Sequence, residues 1–230
     1  MAERVIYLTA VDILYDKKVK CSVCDGEFTT KKVRISKLRL VKQDADLLPY
    51  YDKENPIKYK IYVCPNCGYS ATEDKFTPIA ERKKRIILDA ITQKWNKRSY
   101  GGERTIDQAI ETYKLAIYIG QLLDYSKIEL GLLTLNLAWL YRLKDHEEQE
   151  MRFLRLTGIF LEEGYYKESL YNTDMDEMKL TYLIGELNRR LGEGEKALKW
   201  FNKVISSHKN TNPTIKNLAV EQWRLIKEGE

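Results

Sequence analysis

No apolar run in this 230-residue chain approaches the ~20 residues that a helical membrane span needs. The opening segment, Met1-Ala2-Glu3-Arg4-Val5-Ile6-Tyr7-Leu8, lacks the basic-then-apolar pattern of a signal peptide. With neither signal nor anchor, the expected compartment is the cytoplasm, with no membrane partner. Histidine is nearly missing: His146 and His208 are the only two, and neither has an acidic or thiol neighbour at a functional spacing. Both read as surface residues, which disfavours a histidine-based enzyme. There is no glycine-rich phosphate loop, no carboxylate pair with a shared neighbourhood and no nucleophile–base pairing. The expectation is therefore a protein that is not an enzyme.

Cysteine is scarce too, and its placement is informative. All four cysteines fall in two CxxC pairs, Cys21–Cys24 and Cys64–Cys67. In a reducing cytosol such pairs favour a metal over disulfides. Two intervening residues let both thiolates of a tight turn reach one ion, and a glycine after the second cysteine permits the positive φ of such a turn. The segments Cys21-Ser22-Val23-Cys24-Asp25-Gly26 and Cys64-Pro65-Asn66-Cys67-Gly68-Tyr69 fit that description. Together they suit one structural zinc with a closed four-thiolate shell. The 39 residues between the pairs exceed the ~15–20 of compact zinc ribbons, so the insert has strands of its own. Iron could use the same ligands. Redox thiols would need a βαβ context, and a nucleophilic cysteine a nearby base; neither is present in this half.

Hydrophobic residues make up 43% and charged residues 32%, enough for a globular core. The net charge of +5 is uneven: residues 79–104 carry 8 basic and 3 acidic side chains, whereas residues 105–230 carry 17 and 20. The excess sits around Arg82-Lys83-Lys84-Arg85 and Lys94, Lys97 and Arg98.

Patterning divides the chain into residues 1–78, a zinc-ribbon-like region, and residues 79–230, a tetratricopeptide-like helical domain. In the first, Val33 and Ile35 alternate with charged residues, as do Leu38 and Leu40, with a phase change near Ser36 that marks a bulge or turn. Ile57, Tyr59, Ile61 and Val63 alternate as a strand leading into Cys64. After Pro78 the period becomes helical. Thr77 or Asp74 caps a long helix running through Ile87, Leu88, Ile91 and Trp95. Helical hairpins follow, and Pro213 precedes a last helix from Ile215 to Lys227. Ile184-Gly185, Gly192, Ala197 and Phe201 match the 34-residue tetratricopeptide unit, in which small residues let paired helices approach. The segment from Glu147 to Glu162 fits poorly, since Glu150 occupies a small-residue position. The fold class expected is α+β, mainly α: a small zinc-ribbon β region followed by antiparallel helical hairpins.

The chain resembles a bacterial family of uncharacterised proteins in which an N-terminal CxxC…CPxCGY zinc-ribbon region is fused to tetratricopeptide-like helices. The resemblance rests on the two cysteine turns, on residues 14–21, 31–34, 36–40 and 55–56, on Ala138-Trp139-Leu140-Tyr141-Arg142 and on Tyr182-Leu183-Ile184-Gly185-Glu186-Leu187. Relatives often carry another cysteine in the stretch matching Asp46-Leu47-Leu48-Pro49; leucine stands there in this chain, so a fifth ligand is unsupported. The resemblance implies architecture and no activity.

Function then reduces to a binding surface. The first helix of each hairpin lines the concave face of such an array, which places Trp139, Arg142, Tyr182, Glu186, Arg189 and Arg190 as exposed residues for an unknown protein or peptide partner. The alternative is a nucleic-acid-binding protein using the basic helix at 81–104, with Trp95 and Tyr100 beside it.

Overall fold

A computed structural model describes residues 13–169, 176–207 and 212–229. The N-terminal segment considered above and His208 lie outside these residues. The fold is α+β and mainly α, with three antiparallel strand pairs and seven α-helices among the described residues. It divides into two compact units, one comprising residues 13–43 and Pro49–Asp124, the other Asp44–Leu48 with the chain from Tyr125 onward.

In the first unit, β1 (Leu14–Lys20) pairs with β2 (Glu27–Val33), from Leu14 opposite Val33 to Lys20 opposite Glu27. Ile13, Leu14, Val33 and Tyr59 form the core beneath this hairpin. β3 (Leu40–Gln43) pairs with β4 (Pro49–Tyr51) across an irregularity between Leu40 and Lys42. β5 (Ile61–Val63) pairs with β6 (Ser70–Thr72). The phase change near Ser36 is a 3₁₀ turn, Ile35–Lys37. The strand expected from Ile57 is shorter than its alternation suggests. Asn55 accepts a hydrogen bond from the Ile57 N–H at 3.1 Å and Pro56 fixes φ, so Pro56–Tyr59 winds into a 3₁₀ turn and extension begins only at Ile61.

The expected long helix is also broken. α1 (Glu81–Ala90) begins after Ala80 with no side-chain cap, so neither Thr77 nor Asp74 caps it. A 3₁₀ turn, Thr92–Lys94, follows, and Trp95 is extended. α2 (Ile106–Leu122) starts at a reciprocal capping box between Thr105 and Gln108.

The first unit runs beyond the expected boundary at residue 78, through α2. The reason is packing. The Tyr113 hydroxyl on α2 donates to the Ile57 carbonyl at 3.0 Å. Arg104, just before the helix, is 2% exposed and donates to the carbonyls of Tyr100, Lys58 and Ile61 and to the Thr30 hydroxyl. Short strand pairs are marginal alone; these groups give them a helix to pack on.

The second unit contains α3 (Lys127–Leu143), α4 (Glu147–Lys167), α5 (Glu177–Arg190), α6 (Gly194–Ser206) and α7 (Pro213–Glu228). A capping box of Ser126 and Glu129 opens α3, Asp176 caps α5, and Asn212 caps α7, which starts at Pro213 rather than at Ile215. α3 packs on α4, and α5 on α6, as hairpins. At the α5–α6 crossing a Cβ on Gly185 would lie 2.8 Å from the Phe201 ring, so only glycine admits this approach. Met178, Tyr182, Ala197, Phe201, Val204, Ile215 and Ala219 form the core between α5, α6 and α7. None of the described helices is long and apolar enough to cross a membrane.

Candidate functional site

The four cysteines occupy the turns of two hairpins. Cys21 and Cys24 lie between β1 and β2, Cys64 and Cys67 between β5 and β6. Each turn closes the same way: the Cys21 N–H donates to the Gly26 carbonyl at 3.0 Å, and the Cys64 N–H to that of Tyr69 at 2.8 Å. In both, the residue after the second cysteine has positive φ, 77° at Gly68 and 57° at Asp25. The sequence assigns that role to glycine; in the first turn Asp25 takes it, as short polar residues can.

The four Sγ atoms all lie within 4.8 Å of one another, and Cys21–Cys67 and Cys24–Cys64 are each 3.6 Å apart. Sulfurs at the corners of a tetrahedral shell with metal–sulfur bonds of ~2.3 Å would be roughly 3.8 Å apart, so this spacing can hold a metal ion. Four thiols this close do not ionise independently. Hydrogen bonding from Cys21 and Cys67 holds Cys64 down to about 2, whereas the bond to Cys64 pushes Cys21 up to about 12 and the bond to Cys21 raises Cys67. A cation among the four sulfurs would favour their thiolate forms.

Residues of the basic stretch buttress the second turn. The Trp95 indole donates to the Pro65 carbonyl at 2.9 Å, and the Thr92 hydroxyl to that of Cys67 at 3.0 Å. A Cβ on Gly68 would come within 2.6 Å of the Trp95 ring. The Arg98 guanidinium lies 4.3 Å from the centre of that ring. Sequence reasoning reads Trp95 as a helix-face or stacking residue; its part in fixing the cysteine turn follows from the broken helix, which no periodicity announces. Arg104, counted among the basic groups, is inside the unit. Burial without a carboxylate lowers it to about 10. Arg82, Lys83 and Arg85 remain exposed on α1.

The second unit brings together the residues assigned to a partner surface, but not as an exposed face. Trp139, Tyr182 and Glu186 are buried, and Arg142, Arg189 and Arg190 partly so. The expectation of exposure is corrected because these side chains enclose the chain's own segment Asp44–Leu48. Arg142 grips Asp46 with two nitrogens, Nη1 to Oδ1 at 3.0 Å and Nη2 to Oδ2 at 2.6 Å, and reaches Asp44 at 2.9 Å. The Trp139 indole donates to Asp46 Oδ2 at 2.9 Å, and the Tyr182 hydroxyl to the Ala45 carbonyl at 2.7 Å. Arg190 lies 3.6 Å from Asp46 Oδ1. Asp46 and Leu48 are fully buried, and Leu47 packs on the α5–α6–α7 core.

Glutamates orient the guanidinium groups. Glu150 accepts from Arg142 Nε at 2.7 Å, which explains its place where a repeat would put a small residue. Glu186 accepts from Arg189 and Arg190 at 2.8 Å. Burial alone would lower Arg142, but hydrogen bonds and charge from Asp46 and Glu150 raise it above its ordinary value. Nothing in the sequence marks Asp46 as the centre of this network, since its partners are 93 or more positions away.

Residues 14–226 match the model of a family described as an uncharacterized protein conserved in bacteria (DUF2225). The chain belongs to that family. A relative from Borreliella burgdorferi, described as an uncharacterized protein, is 25% identical over 173 residues. That match covers 65% of this chain and 60% of the relative, so the chain spans less than two thirds of its length. No solved structure matches. Both the cysteine turns and the Asp46 network lie within the family-matching residues.

Proposed function

We propose that this family member is a non-enzymatic cytoplasmic scaffold. In this reading Cys21, Cys24, Cys64 and Cys67 hold one structural zinc in a ribbon-like region, and tetratricopeptide-like hairpins bind a protein or peptide partner. The observation that carries it is the mutual approach of four sulfurs within 4.8 Å on two matching turns. An all-thiolate tetrahedral set suits zinc, and a shell filled by protein ligands leaves no position for a reacting water. Reduced thiols of this kind belong to a reducing compartment.

Support for the partner half comes from α3 and α5, the first helices of their hairpins. Their aromatic and arginine side chains converge on an acidic stretch of backbone, which is the chemistry of a peptide-binding groove. The exposed Arg82, Lys83 and Arg85 are what favours the alternative, a nucleic-acid partner. Against it, Arg104 is spent on internal carbonyls and Lys84 pairs with Glu81 at 3.2 Å.

Metal analysis of protein made without added zinc tests the first half: about one zinc per chain is expected from four thiolate ligands. Less than half an equivalent of any metal, with four freely titrating thiols, overturns it. Affinity capture from the source cell, with and without nuclease, tests the second. A nuclease-resistant protein partner is expected; a signal lost to nuclease gives the alternative.

A further inference from the structure

We infer that the groove of α3 and α5 is a recognition site for acidic peptides of the pattern Asp-x-Asp-Leu-Leu on another protein, and that Asp44–Leu48 is the occupant supplied in cis. The inference rests on the partner-binding reading above and names the ligand's chemistry.

The site recognises each feature of such a peptide with a different device. Arg142 makes a forked contact to the second carboxylate and a further contact to the first. Trp139 and Tyr182 supply neutral donors, one to the same carboxylate and one to the backbone. The leucines enter apolar surroundings: Leu47 meets the core that includes Met178 and Tyr182, and Leu48 is fully buried. A forked guanidinium with flanking neutral donors is a carboxylate-reading geometry.

Charge and backbone strain argue that recognition, rather than stability, shaped it. Without the strap, Arg142 and Arg190 both lose the Asp46 carboxylate that they reach at 2.6 and 3.6 Å, so two partly buried guanidinium groups are left calling for an acid. An ion pair with one fully buried member adds little stability over an apolar filling of equal shape, so a strap needed only for packing would do without Asp46. The strap is also closed on itself, with the Asp44 N–H donating to the Leu48 carbonyl at 2.9 Å, and it places Leu47 at a φ of 72°. A leucine in the left-handed region is strained, and strain of this kind clusters at ligand clamps and switch regions.

The occupant in trans is a different protein rather than a second copy. Exchange of straps between two copies remakes the same contacts and loses translational freedom, with no net gain. A foreign segment with flanking contacts of its own can exceed the tethered strap, whose effective concentration is of the order of millimolar.

The test uses the full chain and a labelled peptide with the sequence of residues 42–50, Lys-Gln-Asp-Ala-Asp-Leu-Leu-Pro-Tyr. Asp46→Asn keeps the strap's shape and removes its charge. Fluorescence anisotropy should show the peptide binding this variant at least roughly tenfold more tightly than the parent. Replacing the second aspartate of the peptide by alanine, or adding Arg142→Gln to the protein, should abolish that binding. A folded variant with no saturable binding, or one that takes the alanine peptide equally well, overturns the inference. Where Asp46→Asn unfolds, residues 44–48 are replaced by a glycine–serine linker and the melting temperature is followed with added peptide. A rise with peptide concentration supports the site, and a flat response overturns it. A partner captured by the parent that the peptide fails to displace leaves the scaffold reading standing and removes this groove from it. Strap variants that dimerise with intact chains, by light scattering, would make a second copy the occupant and defeat the foreign source.

Discussion

The two units each bury an arginine, and they solve the same problem in opposite ways. In the cysteine-bearing unit Arg104 is surrounded by backbone carbonyls and tyrosines, without a carboxylate, and its affinity for the proton falls. In the helical unit Arg142 meets Asp44, Asp46 and Glu150, and its affinity rises. Arg104 serves as a fastener for strands of 3 to 7 residues that have little core of their own. Arg142 sits among helices that already have an apolar core, where an ion pair adds little stability over an apolar filling of the same shape. One unit is cross-linked at points by a buried arginine, the other is packed continuously around a network of ion pairs.

That contrast is sharpest under loss of one of the four clustered cysteines. On the proposed zinc reading, Cys64→Ser should unfold the first unit as a whole, because binding of a structural metal is folding free energy, on the order of 10 kcal/mol. The protected fragment left by limited proteolysis should begin near Tyr125, since α1 and α2 belong with the cysteine turns. A fragment beginning near Glu81 would break the comparison.

Arg142→Met probes the other side. Removing the forked partner leaves Asp46 with only the Arg190 guanidinium, at 3.6 Å, as counter-ion and should cost the helical unit up to about 3–5 kcal/mol in chemical denaturation, with the first unit unaffected. A loss below about 1 kcal/mol would mean that Asp46 is solvated. For the same reason, reversing Arg189 and Arg190 does not act on binding alone: both pair with the buried Glu186.

Alkaline pH should separate the units next. Burial raises the phenols of Tyr59, Tyr62, Tyr100 and Tyr113 above 10.0, Tyr62 to about 12. The unfolded chain ionises first, so the stability these groups confer is complete below pH 10 and is lost as pH rises towards their folded values. Arg104, lowered from 12.5 to about 10, acts in the opposite sense over that interval, but it is one group against four. Tyr182 in the helical unit is raised in the same way. Tyrosinate absorbance with circular dichroism should show the first unit loosening before the second, by at most roughly 1.4 kcal/mol per phenol for each pH unit. Simultaneous loss would erase this distinction.

The smallest effect belongs to α1. Arg82→Glu with Arg85→Glu should change stability by no more than about 0.5 kcal/mol, as for exposed charges without buried partners. A larger fall in melting temperature would place those side chains in the packing of the first unit.

The sequence by itself determined the local features. CxxC spacing demands tight turns whatever surrounds them, helical periodicity located the helices from Ile106 to Glu228, and Gly185 with Phe201 announced a close hairpin. These signals are local because turn geometry and the 3.6-residue repeat act over a few residues. What tertiary structure decided has no short-range cause. Asn55 turned an alternating segment into a 3₁₀ turn, and contacts with the second cysteine turn drew Thr92 and Trp95 out of a helix. Glu150, which does not suit the small-residue position of the expected repeat, is the partner of Arg142. Most of all, Asp46 lies in a stretch that reads as an irregular loop, and only folding brings it to Trp139, Arg142 and Arg190. A buried charge must find its counter-charge somewhere, but the sequence does not say where, because any of its basic residues could supply one and only the packed chain brings a particular pair within hydrogen-bonding distance.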